Sequence, residues 1–227
     1  MRSIIKTTAV RSTSLVICTF LLASCVIHVG ASDAYSKNEQ GEGRSYSATN
    51  KSVRIDEGLS VSDVSSVNGS VTLESGVQAD EVSSVNGKVT IGDRVNVDSV
   101  EVVNGRITIG SDFLSEDSVE SVNGRISIEE NSRVGKNIET VNGDIELEGV
   151  TVGRDIITVN GDILLSDGSV VEGDIRFEGK PNNNSYRSKP PVLRIDASST
   201  VKGQIIIYKE VEFDFADEEL ASKVVRK

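Results

Sequence analysis

Cysteine, histidine, proline and aromatic residues are all scarce in this chain, and each scarcity narrows what it can be. The two cysteines, Cys18 and Cys25, fall near its start, so the rest of the chain has no thiol and no disulfide to staple it. The single histidine, His28, follows closely, which leaves no catalytic histidine and no histidine-ligated metal further along. Tryptophan is absent and aromatics make up 4% of the residues, so a core must be built from Val, Ile and Leu. Only three prolines occur in the chain. Past the first 24 residues no stretch is apolar enough to span a bilayer as a helix.

Those first residues carry their own signal. A basic stretch from Met1 to Arg11 precedes an apolar run from Leu15 to Ala23, and Leu22-Ala23-Ser24-Cys25 closes it. Residues 1–24 read as a secretory signal peptide. The closing four residues resemble a bacterial lipobox, which implies that Cys25 becomes a lipidated first residue and a membrane anchor. Val29-Gly30-Ala31 offers ordinary cleavage after Ala31 as the alternative. The expected address is therefore an outer-membrane lipoprotein or a periplasmic or secreted protein. Loss of Arg2, Lys6 and Arg11 takes the formal charge from −11 to −14. Such a surface repels nucleic acid and anionic lipid. Residues 25–51, rich in Ser, Gly, Asn, Lys and Glu from Ser32 on, read as a flexible tether.

The tripeptide Val-Asn-Gly then occurs six times, starting at Val67, Val85, Val103, Val122, Val141 and Val159, with gaps of 18, 18, 19, 19 and 18 residues. A fixed period of this length marks a solenoid, whose units bury their apolar residues by stacking. Each unit reads apolar, two variable residues, Val-Asn-Gly, one variable, apolar, one variable, apolar, as in Val64, Val67, Val71 and Leu73. Added residues fall only between these ten-residue segments. Consecutive Asn-Gly hairpins are the structural rival. A hairpin would put Val67 on a polar face with Ser65, Ser70 and Thr72, whereas a coil lets Val67 point inward and stack on Val85. The reading is a single-stranded parallel β-helix of about eight coils over residues 52–215, three-sided because apolar residues also recur every six positions. Right-handed crossovers are the general expectation.

Stacking at about 4.8 Å per coil places Asn68, Asn86, Asn104, Asn123, Asn142 and Asn160 in one column, a structural ladder of side-chain amides. Gly69 and its equivalents are expected to supply positive φ at the corner. The repeat breaks at residues 178–191, a loop insertion in which Lys180, Tyr186 and Arg187 make a candidate binding loop. Residues 216–227 read as a short capping helix with Asp217 as N-cap, Glu218 and Glu219 in the first turn and cations at its end.

Acids stacked one coil apart, Asp144 with Asp162 and Asp155 with Asp174, raise a carbohydrate-active enzyme as one alternative. With 35 acids in the chain, such pairs are also expected by chance, and no catalytic residue, metal or cofactor is assigned. Lys88, Arg106 and Arg125 form a basic column and Glu101, Glu120 and Glu139 an acidic one; a solvated stripe of alternating sign is the ordinary reading, a polyanion-binding stripe the sharper one.

Runs such as Val-Asn-Gly-Lys-Val-Thr-Ile-Gly-Asp and Val-Glu-Gly-Asp-Ile resemble the bacterial bactofilin-type polymer-forming proteins and related envelope adhesin solenoids, over roughly Val53 to Ile207. That resemblance implies a right-handed, three-sided β-helix without a catalytic site. It also implies a non-catalytic envelope scaffold or adhesin whose partner is an envelope polymer or surface protein, with a self-assembling scaffold as the alternative. Bactofilins are cytoplasmic, and the export signal sets this chain apart from them.

Overall fold

Alternating apolar and polar residues make each repeat a series of short strands, and a strand of three residues gains stability only by pairing with its equivalent one turn away. A computed structural model of the protein describes residues 43–179 and 189–227. It shows an all-β parallel solenoid of about nine turns, on the order of 40 Å long at the spacing of paired strands. Three strand segments per turn, as in Arg133–Val134, Ile138–Asn142 and Ile145–Glu148, give three sides. One sheet has nine strands; the other, of fifteen, covers the remaining two sides.

The register is set by the apolar columns. Val64, Val82, Val100, Val119, Ile138, Ile156, Ile175 and Ile205 stand one above another on the larger sheet. Val53, Val71, Val89, Ile107, Ile126, Ile145, Ile163 and Leu193 do so on the smaller. All sixteen are buried, and a slip of one residue would turn every one of them outward.

Added residues change the corners and leave these columns intact. Gln78–Asn86 and Asn96–Asn104 are continuous nine-residue strands that round one corner. In the next turn Val97 faces Ser115 while Val100 faces Val119, so one extra residue sits between them. The strand accordingly breaks into Leu114–Ser115 and Val119–Asn123.

Two expectations about the Val-Asn-Gly corner are corrected. Val67 and its five equivalents do not point inward; they are half-buried on the outer face, and the residue before each one is buried instead. Strict alternation from Val64 dictates this, and the inner position is mostly small: Ser66 and Ser84 each donate a hydroxyl hydrogen bond to a corner carbonyl, of Lys51 at 2.9 Å and of Gly69 at 3.2 Å. Nor do the glycines at this corner have positive φ. They are glycines because successive backbones nearly touch: a Cβ on Gly105 would lie 2.0 Å from the carbonyl oxygen of Gly87, and one on Gly124 1.8 Å from that of Gly105.

Both ends depart from expectation as well. Tyr46–Ala48, inside the anticipated tether, is a strand paired with Val64–Ser66; its alternating side chains extend the core by half a turn. The C-terminal segment is a 3-10 helix over Glu218–Lys223, capped by Asp217, which accepts from the Glu219 amide at 2.9 Å. Leu220 anchors it in the core. The chain then becomes a strand, Val224–Arg226, paired with Ile205–Ile207, as β-branched valines beside a free edge favour. Residues 1–42, with Cys25, and the loop residues Lys180, Tyr186 and Arg187 lie outside the described residues.

Two substitutions test this packing by urea unfolding followed by circular dichroism. Gly105→Ala forces adjacent turns apart and is expected to cost about 3 kcal/mol or more. Thr140 is buried with a hydroxyl that has no hydrogen-bond partner among the described residues, so Thr140→Val is expected to stabilise by about 1 kcal/mol.

Candidate functional site

Because interior positions are filled, what the solenoid offers to other molecules is its outer columns, and the corners determine which polar groups are left over. The asparagine column is consumed by the fold. Asn68 donates from Nδ2 to Asn50 Oδ1 at 2.7 Å, and Asn86, Asn104, Asn123, Asn142 and Asn160 each donate to the asparagine below at 2.8 to 3.0 Å. Asn50 at the foot was not anticipated, although it lies 18 residues before Asn68; it lacks the flanking Val and Gly that mark the others. At the top Lys209 Nζ donates to Asn160 Oδ1 at 3.1 Å and to the carbonyl of Val159. Lys209 belongs to the turn that follows the insertion, so its role has no trace in the period.

The stacked aspartates are consumed too. Asp144 Oδ1 accepts the amide of Asp162 at 3.1 Å, and Asp162 Oδ1 that of Val192 at 2.8 Å. Asp155 Oδ1 accepts from Asp174 at 2.8 Å, and Asp174 Oδ1 from Gln204 at 2.9 Å. Arg125 bridges Asp144 and Glu146 at 3.2 and 2.8 Å, and Arg176 bridges Asp155 and Asp174 at 3.0 Å each. These acids therefore serve as corner acceptors that tie one turn to the next. Among the described residues no group of three or more His, Cys, Asp or Glu is placed to hold a metal.

Three outward columns remain. On the larger sheet Glu101, Glu120 and Glu139 are in register, beside the half-buried valines Val103, Val122 and Val141. Burial raises the carboxyl of Glu120 to about 7, helped by Glu139, Glu101 and Asp117. Glu101 is raised by burial and by Glu81 and Asp117. Glu139 is also raised by burial, against a hydrogen bond from Asn137 and the charge of Arg176. On the smaller sheet Lys88, Arg106 and Arg125 precede the strands Val89–Ile91, Ile107–Ile109 and Ile126–Ile128. Thr72, Thr90, Thr108 and Ser127 stand in register at the centres of consecutive strands. This hydroxyl column was visible in the repeat but unremarkable there, since threonine is an ordinary strand residue.

Comparison with family models, with curated proteins and with solved structures finds no match to this chain. No helix of the described residues is long and apolar enough to cross a membrane.

The glutamate column makes stability depend on pH. A carboxyl that binds its proton more tightly when folded than when unfolded favours the folded state at low pH, and that advantage is lost as pH rises from its ordinary value through its folded value. For Glu120 this window runs from 4.5 to about 7. The thermal midpoint is expected to fall between pH 5 and 8, and Glu120→Gln to flatten that fall and raise the midpoint at pH 8.

Proposed function

We propose that this protein is a non-catalytic cell-envelope scaffold that binds through its outer columns, exported by its leader and tethered through Cys25. The observation that carries this reading is the division of polar groups. The acids best placed to act as a catalytic pair are spent on tying turns together, while charged and hydroxyl side chains recur on the outside at a fixed spacing. A rigid array of this kind suits a repetitive partner, such as an envelope polymer or the surface of another envelope protein. The lipobox resemblance of Leu22 to Cys25 and the likeness of the repeats to envelope adhesin solenoids support the address.

A self-assembling scaffold is the second reading, favoured by the ends of the rod. Tyr46, Ala48 and Leu59 at one end, and Phe213, Phe215 and Val224 at the other, are only partly buried against the core.

Metabolic labelling with palmitate, combined with cell fractionation, tests the first reading. Label and protein are expected together in the envelope fraction, with the label lost in Cys25→Ser. Unlabelled protein confined to the cytosol would overturn it. Light scattering of the purified protein separates the two readings: monomeric rods are expected for a binding scaffold, and concentration-dependent filaments would favour assembly.

A further inference from the structure

The outer face of the larger sheet carries a column of charge that its strands do not require. Glu101, Glu120 and Glu139 stand in register on consecutive turns, where the turns below hold Ser65 and Ser83 and the turn above holds Ile157. The strand accepts a serine or an isoleucine at this position, whereas like charges placed opposite one another destabilise neighbouring strands. Among the described residues none of the three glutamates is in an ion pair. Arg176, whose charge reaches Glu139, is itself held by Asp155 and Asp174 at 3.0 Å each.

Two residues further on, Val67, Val85, Val103, Val122, Val141 and Val159 make an uninterrupted outward column, half-buried on every turn. The exposed asparagines Asn104, Asn123 and Asn142 follow at the corner. An apolar stripe with carboxylates along one side and amides along the other therefore runs parallel to the solenoid axis, and its repeat is one turn, about 4.8 Å. An extended chain laid along the axis returns a side chain to one face every two residues, about 6.8 Å, and falls out of step at once. An α-helix laid the same way returns to one face every turn of about 5.4 Å. That differs from the solenoid's spacing by about 0.6 Å per turn, which flexible side chains absorb over three turns.

We propose that this face binds a cationic amphipathic helix of another protein, lying lengthwise, with its apolar stripe on Val103, Val122 and Val141 and its basic stripe on Glu101, Glu120 and Glu139. The inference rests on the binding-scaffold reading and states the chemistry of the partner. Lysine and arginine suit the junction of the two columns, because their stems lie along valine while their heads reach the carboxylates. A cation beside each stacked glutamate also removes the repulsion that the free protein bears. The formal charge of −11 draws such a helix in and repels an anionic one. A small polyamine answers the carboxylates but leaves the valines uncovered.

Calorimetric titration of the purified protein at pH 8 tests the proposal, using a synthetic helix of about fifteen residues with a leucine stripe beside a lysine stripe. A peptide of the same composition with the stripes scrambled serves as comparison. The striped peptide is expected to bind and to gain helical circular dichroism on mixing, and the scrambled one to bind at least about tenfold more weakly. E101Q/E120Q/E139Q is expected to weaken binding about tenfold or more. V122T/V141T, which keeps the shape and strand preference of both residues, is expected to weaken it about threefold or more. E129Q/E130Q/E148Q, which removes the same charge from exposed positions at a different corner, leaves it within about twofold. Absence of binding, equal binding of the scrambled peptide, indifference to V122T/V141T, or an equal loss with E129Q/E130Q/E148Q would overturn the proposal. No binding by protein that is located in the envelope overturns this partner and leaves the scaffold reading standing. Specific binding by protein confined to the cytosol leaves the surface standing and removes the envelope address.

Discussion

Near-contact of successive backbones at the Asn-Gly corner is the constraint on which the rest of the structure depends. The corner amides of Gly87, Gly105 and Gly124 donate to the carbonyls of Asn104, Asn123 and Asn142 at 3.0 to 3.1 Å, and there is no room between the turns for even a Cβ. With the corner pinned, the asparagine beside each glycine can only fall on the asparagine below it. The amide ladder follows from that placement and then reinforces it, since each side chain satisfies one neighbour and is satisfied by the next. Elsewhere the turn is free to vary: one residue is gained at Glu116–Ser118, one is lost between Leu147 and Val152, and the largest gain is the insertion after Gly179.

Pinned register multiplies whatever a position holds, to advantage or to cost. An inward valine repeated turn after turn becomes a continuous core without any large aromatic contribution; Phe113 and Phe177 are the two fully buried aromatics among the described residues. An aspartate repeated at a corner becomes a staircase of side-chain acceptors. An outward glutamate repeated on the larger sheet becomes a line of mutually repelling, half-buried carboxylates, which the fold tolerates by raising their affinity for protons. Lys88 over Arg106 is the same arrangement with the opposite sign, on an exposed face where solvent screens it.

Much of this was legible from the period alone. The β-helix, the asparagine column and the tolerance of the corners all followed from 18- and 19-residue spacing. The direction of Val67 did not: six valines at one position suggest an inward column, yet strict alternation from Val64 turns them outward, and β-branched residues are content on a half-buried outer face. An Asn-Gly corner suggests conformational freedom for its glycine, whereas small size is what matters here, a distinction visible only once the neighbouring turn is present. Asn50 and Lys209 terminate the ladder from turns that lack the tripeptide. Val224 and Val225 looked like the end of a helix because acids and cations bracket residues 217–227, yet a free strand edge nearby outweighed that local signal. The outer columns were readable as columns, but what distinguishes Lys88 and Arg106 from Arg125 is the presence or absence of partners one turn away.

Solution NMR of the asparagine side chains addresses the central claim most directly. If the turns are locked in register through the corner, the Nδ2 protons of Asn68 through Asn142 should exchange slowly with solvent, and each should show a cross-peak to the asparagine one turn away. Asn160 should connect to Lys209. Rapid exchange of these amides, or contacts confined to residues adjacent in sequence, would contradict the stacked-corner account and with it the columns built upon it.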